Sequence, residues 1–301
     1  MIDKKILERF HVEPGTRVRL TDHDPGWKQS DELRRLGKEA AKGRAQQVLE
    51  ENLADLARAQ DLLWASDTYS VLVVLQAMDA AGKDGTIKHV MTGVNPQGVE
   101  VTSFKRPSDE ALDHNFLWRY GKAAPQRGRI GIFNRSYYEE VLVVKVHPAI
   151  LESQKLPPGK RGKGFWKARY EDINAFERHL ARNGTAIVKF FLNISKREQK
   201  QRFLERIENP EKHWKFSDAD MRERGYWDDY MEAFEDTLSA TSTEWAPWYV
   251  VPADSKWIAR AVVADVLTST VESLDLRYPE VTDEKLASIE RARKQLESEE
   301  D

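Results

Sequence analysis

Residues 71–75 read Val-Leu-Val-Val-Leu, and this run constrains the fold more than any other segment. A strand that is apolar on both faces must be covered on both, which is the situation of a central strand in a parallel sheet. The run passes directly into Gln76-Ala77-Met78-Asp79-Ala80-Ala81-Gly82-Lys83-Asp84-Gly85-Thr86-Ile87-Lys88. A buried strand, a loop of small residues, Gly-Lys and then a helix is the order that builds a phosphate-binding loop. Backbone N–H groups of such a loop and of the helix start point at anionic oxygens. Ala81, Gly82, Lys83, Asp84, Gly85 and Thr86 are therefore the candidate phosphate-binding residues.

Two departures from the usual loop carry information. Ala77 stands where a first glycine is customary, and Asp84 stands where a Ser or Thr hydroxyl normally meets Mg²⁺. Asp79 and Asp84 place carboxylates inside an anion-binding loop, where phosphate repels them unless a divalent cation lies between. Both are candidate metal ligands. A strand–helix turn with no ligand is the competing reading.

The rest of the chain alternates in period. Strands are expected at 99–103, 129–133, 185–193 and 248–251, and helices at 30–65, 86–91, 108–120, 170–183, 195–208, 217–240 and 255–274. Residues 1–30 read as irregular and 155–164 as a basic Pro/Gly-rich loop. Strands alternating with helices imply an α/β sandwich of three layers around a parallel sheet. One domain over 1–278 is expected, with a helical extension at 1–65 and a helical lid at about 196–230. Residues 279–301 are expected to form a charged helix or tail.

The strand at 129–133 ends in Asn134-Arg135-Ser136-Tyr137-Tyr138. In doubly wound sheets ligands sit at the carboxyl ends of strands, so Arg135 is placed to neutralise charge on a transferring phosphoryl group. A surface arginine on a strand-terminal turn is the alternative. Residues 119–169 hold twelve Lys/Arg against three Glu, a local +9 in a chain of net charge −3. This asymmetry points to a polyanion held locally. Lys105, Arg106, Arg119, Lys122, Arg127 and Arg129 are the channel candidates, and Arg202, Arg206, Lys212 and Lys215 the lid candidates. Solvated surface positions compete with each of them. His114 reads as a hydrogen-bonded helix histidine, and Trp214, Phe216, Tyr226, Trp227 and Tyr230 as mostly core.

Composition excludes several classes. The absence of cysteine removes disulfide scaffolds, zinc–thiolate sites and thiol nucleophiles. No apolar run is long enough to span a membrane, and MIDKKILERF lacks the apolar core of a signal peptide. A cytoplasmic protein with no membrane partner is expected.

Taken together, Asp79 to Thr86 and the Asn134-Arg135-Ser136-Tyr137-Tyr138 tip resemble the polyphosphate kinase 2 family. Its members carry a D-A-A-G-K-D-G-T loop and a D/N-R-S-x-Y strand tip. Phe104-Lys105-Arg106-Pro107, His114-Asn115-Phe116-Leu117-Trp118-Arg119 and Arg202-Phe203-Leu204-Glu205-Arg206 are similar to the family too. The resemblance runs over about residues 30–275. It implies a P-loop kinase fold with a lid and a basic channel. It also implies Mg²⁺-dependent (alternatively Mn²⁺-dependent) phosphoryl transfer between inorganic polyphosphate and nucleotides. By the same resemblance Asp79, Lys83, Asn134 and Arg135 form the reacting centre. Asn134 in the Walker B place resembles members that accept AMP as well as ADP. Adenine nucleotides and polyphosphate are then the partners, without nucleic acid, in a homodimer or homotetramer. Three alternatives stay open: an ADP- or GDP-specific member, an ordinary ATP-dependent P-loop kinase, and a nucleic-acid-binding module.

Overall fold

The computed structural model describes residues 2, 4–27 and 31–299; of the expected first helix, Ser30 lies outside the described residues. Six strands, β1 (His11–Val12), β2 (Ser70–Gln76), β3 (Val99–Ser103), β4 (Ile130–Asn134), β5 (Thr185–Asn193) and β6 (Trp248–Pro252), form one sheet. Their order is β1-β6-β5-β2-β4-β3, parallel except for the β1–β6 pair. The apolar run of β2 lies between β4 and β5, and every residue of β2 is buried. Leu75 faces Asn134 on one side and Phe190 on the other. That register brings the loop after β2 and the tip of β4 to the same carboxyl edge.

The main helices are α1 (Asp31–Ser66), α2 (Lys83–Val90), α3 (Lys163–Arg182), α4 (Lys196–Glu208), α5 (Asp218–Gly225), α6 (Trp227–Thr241), α7 (Lys256–Glu272) and α8 (Asp283–Glu297). α7 is apolar almost all round and packs on α1, α2 and β5, while α3 lies against β5 and α6. No described helix is long and apolar enough to cross a membrane.

Several expectations change, and the helix expected over 217–240 is α5 and α6, separated at Tyr226. The irregular start contains β1, whose two residues pair with Trp248 and Tyr249 and are too few to show a period. The helix expected over 108–120 is two short helices, Asp109–Asp113 and Trp118–Lys122. Ser108 caps the first as expected, but the Asn115 side chain then accepts from Leu117 N at 3.1 Å and turns the chain. His114 stacks on Trp118 with 4.0 Å between ring centres, an aromatic contact in place of the expected hydrogen bond. The helix expected from 170 begins at Lys163, so the basic loop is shorter.

Beneath the β4 tip lies a buried ionic knot. Lys189 on β5 donates to Glu177 (2.7 Å), Tyr138 OH (2.8 Å) and Thr241 O (2.7 Å), and Tyr137 and Tyr138 both donate to Glu177 at 2.8 Å. Lys189 and Glu177 are both fully buried. The knot anchors the two tyrosines that follow Arg135 and Ser136.

Candidate active site

The loop after β2 is built on two left-handed backbone positions, Ala80 (φ 63°) and Gly82 (φ 109°). Gly82 is the N-cap of α2, and Thr86 N donates to its carbonyl at 2.9 Å. An alanine at Gly82 meets open space apart from Arg202 Nη1 at 3.7 Å, so its cost is backbone strain. Gly82→Ala is expected to lose about 1–2 kcal/mol in a urea unfolding series.

Lys83 Nζ donates to Ala77 O at 2.8 Å. Burial pushes its pKa down and Asp79 works the other way. Arg135, at φ 64°, reaches back from the β4 tip to Asp79 at 3.1 Å, with Glu139 at 3.9 Å. Burial works against the Arg135 charge, but Glu139 and Asp79 outweigh it and raise its pKa. Asn134 Nδ2 donates to Asp84 at 2.7 Å. Of the four residues expected at the reacting centre, Arg135 pairs with Asp79, Asn134 bonds the candidate metal ligand Asp84, and Lys83 is held within its own loop.

These groups line a cleft of about 530 Å³, together with Lys105, Arg106, Arg206 and Asp220. Arg206 donates to Asp220 across 3.3 Å. A second hollow of about 590 Å³ adjoins it and shares Phe104, Lys105, Arg106 and Arg135. Its far wall is apolar, including Pro107, Leu112, Val143, Ala149 and Ile150. The cleft is cationic, with Lys83, Lys105, Arg106, Arg135 and Arg206 against Asp79, Asp84 and Asp220, which suits a phosphate end. The apolar hollow beside it suits a group such as a nucleoside.

Several candidates stand elsewhere. Arg127 donates to Thr68 O, and Arg129 lies over Trp64 at 5.4 Å. Both partners precede β2, so these two arginines are at the amino edge of the sheet, opposite the cleft. Lys122 lies over the Trp118 ring at 4.4 Å, and Arg119 is held by Lys105 O at 2.7 Å while lining the second hollow. Ala81 and Thr86 are buried under the loop and leave the cleft to Gly82, Lys83, Asp84 and Gly85. Lys212 is exposed and does not line the cleft, and the Lys215 side chain lies outside the described residues. Trp227 and Tyr230 are buried as expected, whereas Trp214, Phe216 and Tyr226 are exposed.

Sequence reasoning missed Asp220 and Glu139. Burial, then repulsion by Asp79, raises the Asp220 pKa. Burial raises that of Glu139 against the pull of Arg135 and Lys83. Nothing local marked Asp220, which only the packing of α5 brings to the cleft.

The family described as Polyphosphate kinase 2 matches residues 39–279. The ADP-polyphosphate phosphotransferase of Rhodopseudomonas palustris is 57% identical over 247 residues, 82% of this chain and 84% of that protein. The AMP/ADP-polyphosphate phosphotransferase of Meiothermus ruber is 46% identical over 274 residues, covering 91% and 96%. The crystal structure of Polyphosphate Kinase 2 from Arthrobacter aurescens TC1 superposes with a TM-score of 0.84 at 39% identity, covering 95% of each chain.

Proposed function

The chain belongs to the polyphosphate kinase 2 family, and from that premise we propose that it transfers terminal phosphoryl groups from inorganic polyphosphate to AMP and ADP. The carrying observation is that Lys83, at the start of α2, and Arg135, just past β4, both line one cationic cleft beside an apolar hollow. The transfer is reversible. A terminal phosphate oxygen of the nucleotide attacks the end phosphorus of the polymer, and the P–O bond to the penultimate phosphate breaks. The shortened chain leaves with that bridging oxygen. No protein nucleophile is required, because such transfer depends on positioning and charge neutralisation.

Lys83 and the N–H groups of Gly82 to Gly85 hold the donor end. Arg135 neutralises charge on the moving group, and Asn134 orients Asp84. Lys105, Arg106 and Arg206 line the polymer's path, and α5 with the segment before it acts as a lid. Asp79 and Asp84 are the residues that would hold Mg²⁺. Their donors are hard carboxylate oxygens facing the cleft, and among the described residues no third ligating side chain joins them. That set fits an ion that keeps water and takes its other ligands from phosphates. Bound there, Mg²⁺ or Mn²⁺ supplies neutralisation of phosphate charge. Residues 1–278 act as one unit, working in the cytoplasm as a homodimer or homotetramer.

A second reading, transfer to ADP alone, is favoured by the name of the Rhodopseudomonas palustris relative. The test is nucleotide analysis after incubation with long-chain polyphosphate and Mg²⁺. AMP is expected to give ADP and ATP, and ADP to give ATP. ATP from ADP with AMP untouched establishes the second reading. No product from either nucleotide overturns both.

A further inference from the structure

Arg202 was expected in the lid, on the same helix face as Arg206. Its surroundings are those of a different residue. It is 4% exposed, and every donor is spent. Nε donates to Glu198 at 2.9 Å. Nη1 donates to Ala80 O at 3.0 Å and Ala81 O at 2.7 Å, both in the phosphate loop. Nη2 donates to Ala253 O at 2.6 Å and Asp254 O at 3.2 Å, just past β6. A guanidinium has five N–H groups, and these five bonds use them all, leaving nothing for a phosphate.

The same helix face makes a second hold on the loop: Gln199 Nε2 donates to Asp79 O at 3.0 Å. The circuit closes through Asp254, whose carboxylate accepts from Ser195 N (2.7 Å) and Ser195 Oγ (2.8 Å). Ser195 Oγ in turn caps α4 by accepting from Glu198 N at 3.1 Å. The loop, the turn after β6 and the first turns of α4 are therefore joined around one buried cation.

We infer that Arg202 is a positioning residue of the phosphate loop, with α4 its fixed bed and no part of the lid. By drawing the Ala80 and Ala81 carbonyls inward, the guanidinium holds the left-handed turn at Ala80 and Gly82. That turn aims the following N–H groups at the cleft. Arg206, one turn further along α4, reaches the cleft itself, and its pairing with Asp220 marks the boundary between bed and lid. The inference rests on the phosphoryl-transfer reading above.

Arg202→Lys is the test, because an ammonium keeps the charge but has three N–H groups on one nitrogen in place of the five that Arg202 spends. Polyphosphate-dependent kinetics are measured on protein shown by circular dichroism and thermal melting to be folded, beside the parent chain. The expected result is a kcat lower by on the order of 10²-fold, the effect of a small misplacement of reacting groups. The KM for polyphosphate and its dependence on salt stay close to those of the parent. A KM raised more than tenfold with a shallower salt dependence and an unchanged kcat makes Arg202 a phosphate ligand and overturns the inference. So does a lowered melting temperature with kcat and KM unchanged, which is a purely structural role. Should Arg202→Lys fail to fold, Gln199→Leu removes the neighbouring hold on Asp79 O and is judged by the same outcomes. An inactive parent chain overturns the phosphoryl-transfer reading instead, and is seen before any variant is compared.

Discussion

A Lys83→Ala chain is expected to make ATP from ADP and polyphosphate about 10²–10³-fold more slowly than the parent, the cost of removing one preorganised charge from developing phosphate charge. Lys83 is held in place before substrate arrives by its hydrogen bond to Ala77 O. Burial strips part of the water from its charge and pulls its pKa down. A charge in that state interacts with phosphate far more strongly than one in bulk solvent. Its hydrogen bond ties the loop only to itself, so the melting temperature is expected to change little. Initial rates of ATP formation, with melting curves on the same preparations, check both statements. A rate within threefold of the parent removes Lys83 from the reacting centre.

The largest loss of stability is expected from Lys189→Met. It leaves the Glu177 carboxylate fully buried without a counter-charge, a change that costs about 3–5 kcal/mol. Tyr137 and Tyr138 still donate to Glu177, so the carboxylate is not wholly unsatisfied. Denaturant unfolding of both chains measures the difference. The Lys189→Met, Glu177→Leu double variant is expected to recover part of it, short of the whole because both phenols then lose their acceptor.

Titration adds an independent check. Burial lowers the Lys189 pKa to about 8 from the ordinary 10.5. Below pH 8 both folded and unfolded chains hold the proton. Between the two values the unfolded chain holds more, so this group's contribution to stability rises with pH. The Tyr137 and Tyr138 phenols are pushed well above 10, by burial and by Glu177, and oppose that trend only above pH 10. Between pH 8 and 9.5 the parent should show a rising component that Lys189→Met lacks. A parallel pH dependence in the two chains argues against a titrating Lys189.

Legibility differed from residue to residue. Asp79, Lys83 and Asp84 were readable because the loop, its strand and its helix are contiguous, so local sequence sets the geometry. Asn134 and Arg135 were readable as a strand tip, but the Arg135–Asp79 pair depends on β2 and β4 being neighbours. The basic residues were poorly sorted. Positive charge is visible in the sequence, but the edge of the sheet it ends on is not. Arg106 follows β3 and reaches the cleft, whereas Arg127 precedes β4 and lies at the far edge. Residues on either side of a strand are separated by its full length.

Sequence alone determined the alternation of strands and helices, the central place of β2, the phosphate loop and the family, because each is written in contiguous residues. Tertiary structure alone decided which charges meet. It turned Arg202 inward to five acceptors and brought Asp220 to the cleft. It also buried Lys189 against Glu177 and sent Arg127 and Arg129 to the wrong edge for a substrate. Such pairings join residues far apart in the chain. Their energies depend on burial and distance, which no local pattern of residues encodes.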